Sequence, residues 1–211
     1  MKEITERDLD LLREKIFAFM SPKRFRHTVA VEQMIERLCR LFCPDQMMNM
    51  RAAALLHDLT KELGLEAQIE LCQIYGLTVT DADRLAPKTF HARTAAEKIK
   101  AEFPEFANDV VIDAVRWHTT GRAGMTLTER LLYLADYIDQ SRTFSNCVLL
   151  RRYFWGAEPE GMTPSQREAL LRDTLILSFD MTVKDLLDEG TPIAEDTFRA
   201  RNELLLEKAR G

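Results

Sequence analysis

Glycine and proline are scarce in this chain of 211 residues, which contains only eight and seven of them. Together they make up about 7% of the residues, whereas average usage gives about 12%. The sequence also lacks an alternating apolar and polar run of strand length, an internal repeat period and a Gly/Ser-rich linker. These absences predict an all-α protein that forms a single domain.

Long hydrophobic runs are absent as well. The longest uninterrupted apolar stretches, such as residues 52–56 and 131–135, are far shorter than the roughly 18 residues that a membrane span needs. Charged residues are spread through the first twenty positions and leave no room for the apolar region of a signal peptide. We therefore expect a cytoplasmic protein without a membrane partner.

The four cysteines form neither a C-x-x-C pair nor the dense pattern of a disulfide scaffold, so we expect reduced thiols; they are Cys39, Cys43, Cys72 and Cys147. An excess of basic residues is also missing, because 29 Lys and Arg stand against 34 Asp and Glu, for a net charge of −5. This balance argues against a nucleic-acid partner. Any chemistry on phosphates must rest on local charge.

Helical periodicity covers most of the chain and places histidines and an aspartate on apolar faces. His27 begins an apolar stripe with spacings of four and three residues. The next predicted helix starts after Pro44 and runs to Leu63, with Gly64 placed to close it. His57 and Asp58 would then lie near the end of that helix.

The second half of the chain continues in the same way. His91 opens a predicted helix, and His118 ends another one that Asn108 caps. Asp136 lies inside an apolar helix that begins with a capping box at Thr126. Three more helices follow residue 145, and two of them are predicted to start at the Thr-Pro pairs 163–164 and 191–192.

The pair His57-Asp58 is the strongest chemical signal, because an ionised carboxylate beside an imidazole on an apolar helix is costly without a cation. Each histidine taken alone could instead be a buried imidazole with a hydrogen-bond partner, and Asp136 could pair with Arg142 or cap a helix. Four histidines and two aspartates together suit a two-metal centre, in which carboxylates bridge and offset charge. Lys61 lies four residues after His57 and could hold a phosphate oxygen.

Several motifs in this order resemble those of a known family. The sequence is similar to the YqeK-type HD-domain hydrolases, all-helical metal-dependent enzymes that cleave diadenosine tetraphosphate symmetrically. The resemblance rests on Lys23-Arg24-Phe25-Arg26-His27, Leu55-Leu56-His57-Asp58-Leu59-Thr60-Lys61, Phe90-His91, His118-Thr119-Thr120-Gly121-Arg122 and Leu134-Ala135-Asp136-Tyr137-Ile138-Asp139.

The resemblance implies a full set of metal ligands for two divalent transition ions, iron in the first place and manganese as the alternative. One ion would be held by His27, His57, Asp58 and Asp136, and the other by Asp58, His91 and His118. A hydroxide between the two ions would attack phosphorus, with Asp58 as the bridging ligand.

The resemblance also implies residues for catalysis and for substrate binding. Asp58, Lys61 and Arg122 would be catalytic, and substrate would be bound by Lys61, Thr119, Gly121, Arg122 and Arg142. Two other interpretations remain open at these positions. Residues 119–122 could simply form a glycine cap at a helix end, and Arg142 could pair locally with Asp139.

We therefore expect residues 1–211 to form one HD-type domain, a helical bundle with a metal-site core at residues 23–142 and a C-terminal helical extension at residues 143–211. The partner would be a small dinucleoside polyphosphate or another nucleotide, and we also allow for a homodimer. Three alternatives remain: an HD-domain hydrolase of nucleoside monophosphates or alarmone nucleotides, a nucleotide-binding regulator without turnover, and a structural adaptor without metal.

Overall fold

The computed structural model describes residues 3–210 and is helical almost throughout, with no β-strand among the residues described. Four short 3-10 turns, each begun by a proline, separate some of the helices. The eleven α-helices of this part of the chain are α1 Glu6–Phe17, α2 Pro22–Phe42, α3 Met47–Leu56, α4 Leu65–Ile74, α5 Asp81–Leu85, α6 Phe90–Glu102, α7 Asp109–Trp117, α8 Leu127–Ile138, α9 Ser145–Trp155, α10 Pro164–Asp188 and α11 Glu195–Arg210.

Most of the capping signals start helices where the sequence predicts. The Asn108 side chain accepts a hydrogen bond from the Val111 amide, 3.0 Å away, at the start of α7. Thr126 and Glu129 form a reciprocal capping box at the start of α8, and Thr163 does the same for α10. These caps satisfy amide groups that lack partners in the first turn of a helix.

Two predicted helix boundaries are wrong. The helix predicted to continue to Leu63 ends at Leu56, and residues 57–63 form successive tight turns. Gly64 does not close that helix but precedes α4 as its N-cap. The last helix begins at Glu195 rather than at the Thr-Pro pair, because the Thr191 amide bonds back to the Leu186 carbonyl at the end of α10.

The core lies between α2, α3, α7 and α8, which pack against one another, with α6 packed on α7. Its centre is apolar and fully buried, with Leu55, Val115 and Leu134 among its members. The first helix is held to this core by a charged cluster in which Arg51 binds both Glu32 and Glu6. Burying Glu32 is tolerated because it has cationic partners.

The C-terminal helices pack onto α8 through aromatic residues. Phe179 of α10 stacks on Tyr133 of α8 with ring centroids 4.6 Å apart, and both rings are fully buried. Helix α9 contacts both α8 and α10, and α11 packs along α10. The four cysteines are free and buried. Within residues 3–210, no helix combines the length and hydropathy that a bilayer span requires.

Candidate metal centre

The four histidines and two aspartates singled out from the sequence form one buried cluster. One of the six lies on α2, two lie in the turn after α3, one lies at the start of α6, one is the C-cap residue that follows α7, and one lies on α8. Their side chains are at most 13% exposed. The six residues are His27, His57, Asp58, His91, His118 and Asp136.

Asp58 lies in the middle of this cluster, with its two carboxylate oxygens facing opposite halves. Its Oδ2 atom is 3.3 Å from His57 Nε2 and 3.7 Å from His27 Nε2. Its Oδ1 atom is 3.4 Å from His91 Nε2 and 3.9 Å from His118 Nε2. A carboxylate in this position is able to bridge two ions.

The first half of the cluster consists of His27, His57 and Asp136, whose ligating atoms all lie within 4.8 Å of one another. Asp136 Oδ1 is 2.9 Å from His27 Nε2 and 3.8 Å from His57 Nε2. Among the described residues, neither nitrogen has an aligned hydrogen-bond partner, although both are buried. Buried polar atoms are normally satisfied, so a cation is the partner that this arrangement suits.

The second half contains His91 and His118, whose Nε2 atoms face each other at 3.0 Å. His118 donates its Nδ1 proton to the Val115 carbonyl, and His57 donates its own to the Ala54 carbonyl, each over 2.7 Å. These bonds fix the tautomer, so that Nε2 is the ring nitrogen that offers a lone pair toward the cluster when the ring is neutral. His57, Asp58 and His118 form a second group within 4.8 Å.

Burial and charge set the protonation of these groups. Burial lowers the pKa of His118 to about 4, and it holds the pKa of His91 well below its ordinary value, together with the nearby Lys61. Burial raises the pKa of Asp58, but the neighbouring His57, and after it His91, outweigh burial and keep the pKa well below the usual range. Neutral imidazoles beside an ionised carboxylate are the protonation states that bind metal.

Asp136 is ionised for a different reason. Burial raises the pKa of its carboxyl group, but the Arg142 guanidinium and His27 lower it well below the ordinary value. The donor set of the cluster is therefore four imidazole nitrogens and two carboxylates. Such a set suits transition ions such as iron and manganese better than magnesium, so the residues fit a two-metal centre.

Three cationic side chains lie against the cluster, two of them on its carboxylates and one on a histidine ring. Arg24 donates to Asp58 Oδ2 over 2.6 Å, and Arg142 binds both the side chain and the backbone carbonyl of Asp136. Lys61 Nζ lies 3.3 Å from each ring nitrogen of His91, and burial lowers its pKa. The structure thus brings Lys61 and Arg142 to the cluster, as predicted.

Residues 119–122 are divided between the cluster and the core. Thr119 Oγ1 is 3.2 Å from Nε2 of both His91 and His118. Gly121 instead packs inward with a φ of +64°, and a Cβ atom there would lie 2.7 Å from Phe179 Cζ. Arg122 binds the fully buried Glu129 through Nε and Nη2, each over 2.9 Å. Its contacts in the structure are thus with Glu129 rather than with the cluster.

Two further residues of the site, Arg24 and Asp139, have no assigned role from the sequence, although both lie in the matching motifs and Asp139 was an alternative partner of Arg142. Arg142 Nε does lie 3.7 Å from Asp139 Oδ2. Asp139 is fully buried, and its Oδ2 atom is 3.4 Å from His27 Nδ1. Ser141 Oγ, which donates to Asp139 Oδ1, is 3.1 Å from the same nitrogen. The position of Arg24, three residues before His27 on α2, is the signal that could have identified it.

A basic cavity of about 590 Å³ opens beside the cluster. His27 and Arg142 line its inner end, and Glu62 is the one acidic residue among the described residues that line it. The other basic residues in its lining are Lys23, Arg24 and Arg26. A net positive cavity next to a cluster of metal ligands is able to hold an anionic phosphate chain.

Comparisons with known proteins agree with this arrangement. Residues 24–141, which span the whole cluster, match the HD domain. The chain is 29% identical to a "Bis(5'-nucleosyl)-tetraphosphatase, symmetrical" of Halalkalibacterium halodurans over 191 residues, or 90% of this chain and 92% of that protein. It is 30% identical to the protein of the same name from Bacillus subtilis over 188 residues, or 88% and 91% of the two chains.

A solved structure is similar over nearly the whole length. It is the crystal structure of a predicted HD superfamily hydrolase, described as involved in NAD metabolism, from Clostridium acetobutylicum. The two structures superpose with a TM-score of 0.80 at 28% identity, covering 97% of this chain and all of the other. The similarity therefore includes the C-terminal helices as well as the residues that match the HD domain.

Proposed function

This chain belongs to the HD-domain family of hydrolases, and from that premise we propose that it cleaves diadenosine tetraphosphate symmetrically into two molecules of ADP. Its similarity to two proteins named as symmetrical bis(5'-nucleosyl)-tetraphosphatases, each over about nine tenths of both chains, supports the substrate. The observation that carries the proposal is the position of Asp58, with one oxygen toward each half of the histidine cluster.

The six ligands are proposed to hold two divalent ions, either iron or manganese. His27, His57 and Asp136 would hold the first, His91 and His118 the second, and Asp58 would bridge them. Two such ions would supply a water of lowered pKa and neutralise charge on the phosphoryl oxygens. The chain itself then needs no side-chain nucleophile.

The cations around the cluster are proposed to hold the phosphate chain. Arg24 and Arg142 neutralise Asp58 and Asp136 in the structure, and metal bound by those carboxylates would free both guanidinium groups for an anionic ligand. Arginine suits this role because its planar group binds phosphate oxygens with two donors. Lys61 adds a third positive charge beside His91.

Thr119 is proposed to contact the substrate. Among residues 119–122, it is the Thr119 hydroxyl group that reaches the cluster. A contribution of Arg122 to the transition state also remains part of the proposal. That contribution requires the guanidinium to bind the substrate while it keeps its contact with Glu129.

Product analysis tests this function directly. Protein prepared without oxygen and loaded with iron or manganese is incubated with diadenosine tetraphosphate, and the nucleotides are separated by ion exchange. We expect ADP as the only product, and loss of the reaction in the His57→Ala and Asp58→Ala variants by several orders of magnitude in kcat. The exposed Asp45 offers a matched control, and Asp45→Ala should leave kcat unchanged.

Other outcomes would contradict specific parts of the proposal. ATP and AMP in equal amounts would mean that an outer linkage is cleaved rather than the central one. Intact substrate with tightly bound metal would favour a nucleotide-binding regulator, and a protein that folds equally well and binds no metal would favour a structural adaptor. Equal activity of Asp58→Ala and Asp45→Ala would exclude Asp58 as the bridging ligand.

A further inference from the structure

A second cavity, of about 360 Å³, lies next to the cluster of histidines and aspartates. It is enclosed between the core at residues 23–142 and the C-terminal helices. On the core side it is lined by Thr119 and Tyr137, which neighbour the ligands His118 and Asp136 in sequence. On the other side it is lined by Leu186 of α10 and by Ala194 in the segment that leads to α11. The C-terminal extension therefore completes a cavity that begins at the cluster.

The chemistry of this cavity differs from that of the basic cavity. Lys88 carries the only charge among the described residues that line it, and its ammonium group pairs with Glu189 over 3.0 Å. The rest of the lining is apolar or consists of hydroxyl groups, including six threonines and Tyr137. A pocket with aliphatic walls and a few hydroxyl groups suits a neutral, partly aromatic ligand and does not suit a polyphosphate chain.

The size of the cavity limits what can enter it. Ligand pockets that bury a whole drug-sized molecule have volumes of roughly 300–1,000 Å³, and this cavity lies near the lower end of that range. One nucleoside fits such a volume, whereas a complete dinucleotide with four phosphates does not. The phosphates must then leave the cavity past Thr119, whose hydroxyl touches both His91 and His118.

The geometry points to a nucleoside-binding site in this cavity, built jointly by residues 85–89, Thr119, Tyr137 and the α10–α11 connection. This inference rests on the proposed function and names the part of the chain that binds one adenosine of the substrate. The phosphate chain runs from the cavity across the metal cluster toward the basic cavity. The C-terminal extension thus supplies one wall of the nucleoside site.

Photolabelling tests the site without requiring turnover. The full chain, loaded with manganese, is irradiated with 8-azido-ADP, digested with trypsin and analysed by mass spectrometry. We expect label on the peptide of residues 185–199, which carries Leu186 and Ala194, or on the peptide of residues 85–88. Absence of label from both peptides would overturn the inference, including the case in which label appears only on residues 143–151 beside the basic cavity.

A cavity-filling variant provides the second measurement. Ala194→Trp adds an indole at the wall of the cavity without removing any group of the metal cluster, and Ala194→Ser is the matched control. We expect Ala194→Trp to lose the photolabel and to raise KM for diadenosine tetraphosphate by about tenfold or more, with kcat changed less than about threefold. A KM equal to that of the control would contradict the site.

A substrate without a nucleoside separates loss of the site from general damage. Hydrolysis of inorganic tripolyphosphate should be equal in Ala194→Trp and Ala194→Ser, and equal loss for both substrates would mean that the indole disturbs the cluster itself. The two proposals fail in different ways. Label in the cavity without hydrolysis of diadenosine tetraphosphate would reject the proposed function only, whereas hydrolysis without label in the cavity would reject the nucleoside site only.

Discussion

His27 retains its proton to an unusually high pH in the metal-free protein. Burial lowers the pKa of its imidazole, but the nearby carboxylates of Asp136 and Asp139 outweigh burial and raise the pKa to about 9, against an ordinary value of 6.5. A metal ion at this nitrogen must displace that proton, so metal affinity should rise with pH below about 9. We expect an increase of about tenfold per pH unit from this residue alone.

Calorimetric titration of the metal-free protein with manganese at pH 6, 7 and 8, in buffers of different ionisation enthalpy, measures this effect. The number of protons released per ion bound should fall by about one in His27→Gln. The overall metal affinity of that variant will be lower because a ligand is lost. The decisive quantity is therefore the change in the logarithm of metal affinity per pH unit. Equal slopes in the two proteins would contradict the high pKa of His27.

Arg122 offers a second test at the residue scale, because its contact with Glu129 and its predicted role in catalysis have different consequences. Removing the guanidinium leaves the fully buried Glu129 carboxylate without its charged partner. Arg122→Ala should therefore lower the free energy of unfolding by about 1–3 kcal/mol, measured by denaturant titration. If Arg122 also binds phosphate, kcat should fall by about 10² to 10³.

Glu129→Gln is the matched variant for this test. It weakens the same contact and should lower stability, but it leaves the guanidinium present and should retain most of kcat. Loss of stability in both variants with kcat unchanged in both would restrict Arg122 to a structural role.

The sequence identifies the six clustered residues but not the charges that surround them. Each of the six is marked locally, since histidine or aspartate on an apolar helix needs a partner. The pairing of Arg24 with Asp58 joins residues 34 positions apart, and no local pattern encodes it. Asp139 was missed for a different reason. Its neighbour Arg142 lies 3.7 Å from it but binds Asp136 more closely, and the approach of Asp139 to His27 joins residues that are far apart in sequence.

At the scale of elements, Gly121 links the end of α7 to the C-terminal helices. Its φ of +64° is costly for any residue with a Cβ atom, and that atom would lie 2.7 Å from Phe179 Cζ. The Phe179 ring is fully buried and stacked on Tyr133, so it has little room to move. Gly121→Ala should lower the free energy of unfolding by about 2–5 kcal/mol, measured by denaturant titration without metal.

Gly76 is the control for this prediction. It has a similar φ of +67°, but no atom lies within 4 Å of the position that a Cβ would take. Gly76→Ala should therefore show only the backbone cost of about 1–2 kcal/mol. If the two variants were destabilised equally, the contact with Phe179 would contribute nothing and Gly121 would be required only for its backbone conformation.

Helix starts are easier to predict from sequence than helix ends in this protein. Thr126 and Thr163 start helices through side chains three residues from the groups they bind, and such contacts are visible in sequence. The early end of α3 follows from contacts with distant residues, since Thr60 donates to the His91 carbonyl of α6 over 3.0 Å. The apolar periodicity of the sequence continues through Leu59 and Leu63. It therefore gives no sign that contacts with distant residues end the helix early.

For the whole molecule, the central expectation is that the core at residues 23–142 and the extension at residues 143–211 unfold together as one domain. The stacking of Phe179 on Tyr133 and the packing of α9 against α8 cross this boundary. Such buried contacts favour a single cooperative transition. The chain has two tryptophans, Trp117 at the end of α7 and Trp155 at the end of α9, which report on the two parts separately.

The variants Trp155→Phe and Trp117→Phe each leave one tryptophan, in the core and in the extension respectively. We expect the two fluorescence transitions in urea to have the same midpoint and slope as the loss of helical circular dichroism in the same variant, because neither part can lose its packing alone. The circular dichroism of each variant also corrects for any effect of the substitution on stability. A Trp155 transition at lower urea than the loss of helix would show that the extension unfolds first, as a separate domain. In that case the nucleoside cavity would disappear before the metal cluster, since α10 and the segment before α11 form one of its walls.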